Sequence, residues 1–350
     1  MIPFVVVSLL INSPSARWNK GETPEELRAA AAEAMAKPLD PVTAKRNPPP
    51  GGTLHDYCSR GPYWWPDPSK PDGLPYIRRD GELNPECLQD SDRPRLDALV
   101  ASVQTLAAAR LRLDDRDAAA YAVSLLRGFF LDEATRMNPN LNYGQAIPGV
   151  CDGRGIGIIE TYGAARFLVD SILILHSTGD LPDEDFNALR AWFSDYLDWL
   201  LDSPIGREES REKNNHGTAY DLQVATFAIF AGRHEIARKT LEGVLERRVA
   251  VQIEPDGRQP LELARTRSLS YSSMNLGIYW HLSSLALRFD IDLWNASTPD
   301  GRSIAKAADW LRPYILGERP WTRQQLIPVD LAKIRWLAEP FPAPSKDEAH

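Results

Sequence analysis

Cysteine is scarce in this chain: Cys58, Cys87 and Cys151 are the only three, and they stand far apart. No Cys-x-x-Cys and no Cys/His ligand spacing occurs, which speaks against a structural zinc site, and three thiols close at most one disulfide. Long apolar runs are missing too. No stretch reaches the roughly 18 residues that a membrane helix needs. The opening MIPFVVVSLL is apolar but short, and lacks the basic start of a secretory signal. Positive charge is not in excess: Lys and Arg number 40 against 48 Asp and Glu, a net charge of −8. That argues against non-specific nucleic-acid binding, but not against an anionic ligand held by a local cluster of Arg and His. No phosphate loop, nucleophile elbow or fixed-period repeat is present. Alternating period-2 segments are absent as well, which leaves a sheet-based fold without support.

What is there is helical pattern. Hydrophobic residues make up 43% and charged residues 25%, an ordinary globular composition. Thr23-Pro24-Glu25-Glu26 predicts a helix start, with Thr as cap, Pro first and Glu third, running to about Lys37 before Pro38. Residues 94–113 place Leu96, Leu99, Val100, Val103, Leu106 and Ala107 on one face. Asp115 opens a second helix carrying Tyr121, Leu125 and Phe129. Residues 155–175 read as a mostly apolar helix. From Leu181-Pro182-Asp183 another follows, with Phe186, Leu189, Phe193, Leu197 and Leu200 at 3–4 spacing. Residues 219–232, 235–249, 270–288, 302–316 and 323–337 complete the helical set. More apolar helices alternate with more amphipathic ones, and such pairs pack as inner and outer layers. The expected fold is all-α, an α/α toroid (an incomplete double-layered helical barrel). It is read as one domain over residues 1–350, with an N-terminal arm at 1–22.

Four polar loops stand out between the helices. In the first, residues 50–90, Pro and Gly are dense, yet Tyr57, Tyr63, Trp64, Trp65 and Tyr76 are there too. A solvated linker has no need of such rings, whereas flat aromatic faces suit sugars, so this loop is expected over a cleft. The second holds Asn140, Asn142, Tyr143, Gln145 and, further on, Asp152 and Arg154. The third is Asn214-Asn215-His216-Gly217-Thr218, behind the charged stretch 207–213 and at the mouth of a helix. The fourth, 256–271, holds Arg258, Glu262, Arg265, Arg267 and Tyr271.

This inventory of amide, imidazole, guanidinium and phenol suits one reaction well. In a uronic-acid polymer the C5 proton lies beside a carboxylate, and its removal expels the C4 oxygen by β-elimination. A site for it must neutralise the carboxylate with donors such as Asn, His and Arg. It also needs a base at C5 and an acid at the leaving oxygen. A tyrosine near Arg and His can serve either role, and no metal or other cofactor is required. A glycoside hydrolase on the same toroid would need two facing carboxylates. Asp152, Glu160, Asp221 and Glu262 are available, but no two form a persuasive pair. A non-catalytic polyuronate-binding protein is the other alternative.

Residues 61–68 (Gly-Pro-Tyr-Trp-Trp-Pro-Asp-Pro), residues 70–77, Arg79-Asp80-Gly81, Asn84-Pro85-Glu86, Asn214-Asn215-His216-Gly217 and the segment 265–271 together resemble the alginate lyase domain superfamily. The resemblance covers roughly residues 50–290. It implies an α/α toroid and metal-independent β-elimination on polyuronates. By motif, His216 corresponds to the histidine that contacts the carboxylate or acts as base. Asn215 or Asn214 corresponds to the carboxylate-neutralising amide. Tyr271 corresponds to the tyrosine that acts as acid, and also as base where the elimination is syn. An arginine shortly before that tyrosine is expected, and Arg265 and Arg267 both qualify. Substrate contacts are expected from Asn214, Tyr57, Tyr63, Trp64, Trp65, Asn142, Gln145 and Arg154. The expected partner is an anionic polysaccharide, with no nucleic acid and no membrane. The protein is expected to be secreted or periplasmic, and a monomer or weak dimer.

Overall fold

The computed structural model describes residues 23–342; the expected arm at 1–22 lies outside the described residues. The chain divides into two compact units. The first holds the described residues up to Ile77, Asn84–Arg207 and Phe230–Gly232; the second holds Arg78–Leu83, Glu208–Ile229 and the described residues from Arg233 on.

In the first unit, α1 (Pro24–Met35) starts on the predicted capping box. Glu26 N–H donates to Thr23 Oγ1 at 3.2 Å, and Thr23 N–H donates to Glu26 Oε2 at 2.7 Å. Helix α2 (Arg93–Leu113) and helix α3 (Arg116–Phe130) are joined through Asp114, which adopts the left-handed conformation at φ 56°. Asp115 caps α3 by accepting from Ala118 N–H at 2.9 Å. Both α1 and α3 pack on α2. The stripe Leu96, Leu99, Val100, Val103, Leu106 and Ala107 is buried there, as its spacing predicts.

Residues 155–175 are helical but not one α-helix. A 3₁₀ segment (Gly155–Thr161) leads through a π turn (Ala164–Leu168) into α4 (Val169–Ser177). The cause is a close backbone approach: a Cβ on Gly157 would lie 2.5 Å from the Gly144 carbonyl carbon. Helix α5 (Asp183–Asp202) packs on α3 and α4 and buries Leu189, Phe193, Leu197 and Leu200. Two short strands, β1 (Cys58–Arg60) and β2 (Tyr143–Ala146), pair in parallel, with Cys58 opposite Tyr143 and Arg60 opposite Ala146. That pairing ties the first polar loop to the second.

In the second unit, α6 (Asn215–Ala231) and α8 (Ser268–Leu287) are buried on nearly every side, whereas α7 (His234–Glu242) and α9 (Ile304–Ile315) bury one face only. A helix apolar all round belongs inside and an amphipathic one outside. Both α7 and α9 pack on α8.

Three boundaries differ from the sequence reading. The helix expected at 235–249 is α only over His234–Glu242 and continues as a π segment, Leu245–Val249. Helix α6 begins at Asn215 rather than 219, so the Asn-His pair lies in a first helical turn. The helix expected at 323–337 shrinks to Leu331–Ile334 and a 3₁₀ turn Arg335–Ala338. Pro328 has no N–H to donate and disfavours helical geometry at Ile327. Gln325 is instead drawn into the start of α8, where its Oε1 accepts from Leu269 N–H at 2.9 Å.

Candidate active site

The third loop is held by buried carboxylates. The Glu262 side chain accepts from Asn215 N–H and from Asn215 Nδ2, each at 2.7 Å. Both residues are buried. This anion sits at the N-terminus of α6, where the first N–H groups need partners. Burial pushes the Glu262 carboxyl up, and the two Asn215 hydrogen bonds, Arg265 and His216 resist the rise. His216 Nδ1 bonds Glu209 Oε1 at 2.8 Å, and Glu209 is fully buried. Asn214 is half-buried, and its Oδ1 accepts from His216 N–H at 3.0 Å.

Arg248 braces the approach to this turn. Its guanidinium grips Asp221 (2.9 and 3.0 Å) and donates to the carbonyls of Glu212 (2.8 Å) and Ser210 (2.9 Å). Only glycine fits at Gly217, because a Cβ would meet Glu212 O at 2.1 Å and Arg248 Nη1 at 2.4 Å. Behind it, Gln252 Oε1 accepts from Thr218, Asn275 and Tyr279, and its Nε2 donates to Asn214 O at 3.0 Å. A buried polar network of this kind fixes the turn on which the imidazole is mounted.

The fourth loop separates the two arginines. Arg265 lays its guanidinium over the Tyr271 ring, 3.9 Å from the centroid. It also grips Asp80, with Nη2 to Oδ1 at 2.7 Å. Burial works against the Asp80 carboxylate, but Arg265 and Thr266 together hold it far below the usual range. Arg267 donates to the Gly81 carbonyl, and its backbone opens α8. Tyr271 stands in the first turn of α8, half-buried.

In the first unit the expected substrate contacts divide. Tyr63, Trp64 and Trp65 are half-buried and keep ring surface open. Tyr57 does not: it is fully buried, its hydroxyl donates to Glu160 Oε2 at 2.9 Å, and it belongs to the core. Gln145 is also buried. Its left-handed backbone (φ 49°) donates to Ser59 Oγ at 2.8 Å, and its Oε1 accepts from Arg154 Nη2 at 2.8 Å. Gln145 and Arg154 thus order their own loop, and Arg154 also lies over the Trp64 ring at 5.6 Å. Asn142 is exposed and accepts from Trp199 Nε1 at 2.9 Å.

Among the carboxylates weighed for hydrolysis, Glu160, Asp221 and Glu262 are all buried on internal partners. Sequence reasoning missed the buried role of Glu209, which lies in a run of charges that reads as solvated. Among the described residues, no three His, Cys, Asp or Glu side chains are grouped to hold a metal ion. No described helix is long and apolar enough to cross a membrane.

The structure is similar to that of an alginate lyase from Bacteroides ovatus, with a TM-score of 0.85 and 39% identity over 95% of this chain and 87% of that one. It also shares its fold with alginate lyase A1-III from Sphingomonas species A1, with a TM-score of 0.54 and 15% identity over 91% of this chain and 82% of that one. A search of curated proteins finds no match. These likenesses define the class: an all-α protein of the α/α-toroid type, a polysaccharide lyase. A family model for alginate lyases matches residues 41–321, and the chain belongs to the alginate lyase family.

Proposed function

We propose that this protein cleaves β-1,4-linked uronate polymers by β-elimination, with mannuronate-rich alginate as the first substrate and polyglucuronate as the second. A base takes the C5 proton, and the released electron pair forms the C4–C5 double bond. The C4–O bond breaks, and an acid returns a proton to the departing oxygen. The products are a new non-reducing end carrying a 4,5-unsaturated uronate and an ordinary hydroxyl end.

The observation that supports this best is the setting of Tyr271. Arg265 covers its ring at 3.9 Å, and the buried Glu262 that holds Asn215 feels the charges of both Arg265 and His216. The guanidinium stabilises negative charge developing on the phenol oxygen as its proton leaves. His216, once protonated on Nε2, and an amide of the Asn214–Asn215 pair offer donors for the substrate carboxylate. In mannuronate the C5 proton and C4 oxygen share a face, so Tyr271 serves as base and then acid. Glucuronate differs from mannuronate only at C2, so the same roles hold for it; in guluronate, the C5 epimer, the two lie on opposite faces, so His216 serves as base and Tyr271 as acid. Tyr63, Trp64 and Trp65 supply faces for sugar rings. We read residues 41–321, which span both units, as one working lyase domain. A polymeric substrate favours a secreted or periplasmic site of action.

The test is ultraviolet absorbance of the unsaturated product, with polymannuronate, polyguluronate and polyglucuronate offered in turn. A rise identifies elimination and names the sugar. Reducing ends without a rise would replace the reading by hydrolysis. Silence in both assays would sink catalysis on these polymers.

A further inference from the structure

Among the buried titratable groups that the elimination scheme leaves unused, Glu209 is the one bonded to the His216 imidazole. It lies in the short helix Pro204–Ser210, with no exposed surface. Its Oε1 bonds His216 Nδ1 at 2.8 Å. Its Oε2 has no hydrogen-bond partner among the described residues. A buried carboxylate with one oxygen unsatisfied is costly, and a fold has no need of it at a helix end. Burial drives its carboxyl up, with Glu212 and Glu208 adding to the rise, and His216 opposes it. Arg248 is the other charged group that feels it; across the turn Glu262 also feels His216. The imidazole is therefore what this anion serves. The backbone between Glu209 and His216 is pinned, since Arg248 holds the carbonyls of Ser210 and Glu212.

We propose that Glu209 is the positioning residue of His216. It takes the Nδ1 proton as a hydrogen bond, so the neutral ring presents a bare Nε2 to the sugar. No described residue bonds Nε2, and the His216 side chain keeps 12% of its surface. When Nε2 gains a proton, whether from C5 or from solvent, the imidazolium is matched by the glutamate anion. Carboxylate–imidazole pairs fix tautomer and ring orientation in this way. The proposal rests on the elimination reading for its kinetic part only.

The experiment combines selective 15N labelling of histidine with kinetics, on the full-length wild type and Glu209→Gln. A His216→Gln sample assigns the resonance. In wild type the neutral ring is expected to carry its proton on Nδ1, and in Glu209→Gln that signature is expected to be lost. On whichever uronan the wild type cleaves, kcat should fall by roughly tenfold or more while KM moves less than about threefold. A wild-type ring protonated on Nε2, or a variant with unchanged kcat, overturns the proposal. If Glu209→Gln does not fold, the wild-type tautomer and Glu209→Asp decide. If no uronan is cleaved, the elimination reading fails while the tautomer still tests Glu209.

Discussion

Asn215 gives both its backbone N–H and its side-chain Nδ2 to Glu262, one to each carboxylate oxygen, at 2.7 Å. One acid thereby caps a helix and orients an amide in the same turn. Removing it strands two buried donors. Glu262→Ala should lower stability by about 2–4 kcal/mol, seen as a lower urea midpoint, and should cost activity even where the chain remains folded. An unchanged midpoint would mean that Asn215 finds other partners easily.

Tyr271→Phe keeps the ring under Arg265 and removes only the hydroxyl. Lyase activity should drop by about a thousandfold or more, with oligouronate binding by calorimetry within about threefold of wild type. Activity near wild type would remove Tyr271 from the proton-transfer role.

The two arginines should behave differently under the same change. Arg265→Lys loses the fork on Asp80 and the flat contact with Tyr271, and kcat should fall by about a hundredfold. Arg267→Lys can still reach the Gly81 carbonyl with one donor, and kcat should stay within about threefold. Steady-state rates of the two variants side by side settle the order, and the reverse order would place Arg267 at the reacting sugar.

Glu160 offers a test of stability against pH. Its carboxyl is pushed up by burial, with Arg93, Ser59, Tyr57 and Gln145 resisting. A raised folded value means that the contribution is present below the ordinary carboxylate range and is lost as pH rises through the raised value. Glu160→Gln removes that titration. The melting temperature of wild type minus that of the variant should therefore shrink as pH rises from the ordinary carboxylate range. A difference that is flat or grows with pH would contradict the assignment.

Periodicity and capping chemistry made much of the architecture readable. The stripe from Leu96 to Ala107 and the Thr23–Glu26 box need only local rules, and the structure carries both. The pattern failed where a distant partner decides. Residues 155–168 bend to the backbone of Gly144, and 323–330 are held by Pro328 and Gln325. Among the site residues, motif spacing singled out His216, Tyr271 and the pair Arg265 and Arg267 without choosing between the two arginines, and the second unit joins Arg265 to Tyr271. It could not tell an open ring from a core ring, so Tyr57 read like Trp64. Nor could it show that Glu209 is internal, because a glutamate among Arg207, Glu208 and Arg211 looks like any solvated charge.

The short piece Arg78–Leu83 belongs to the second unit although the chain on both sides of it belongs to the first. Its Asp80 is the acid that Arg265 grips. Cutting the gene at the apparent boundary would therefore separate a cation from its anion. A fragment that starts at residue 208 would carry Arg265 without Asp80, and adding back a peptide covering 78–83 is the natural way to restore the match. The two units are distinct in space but interleaved in sequence, so neither can be borrowed, swapped or evolved as a cassette without the other.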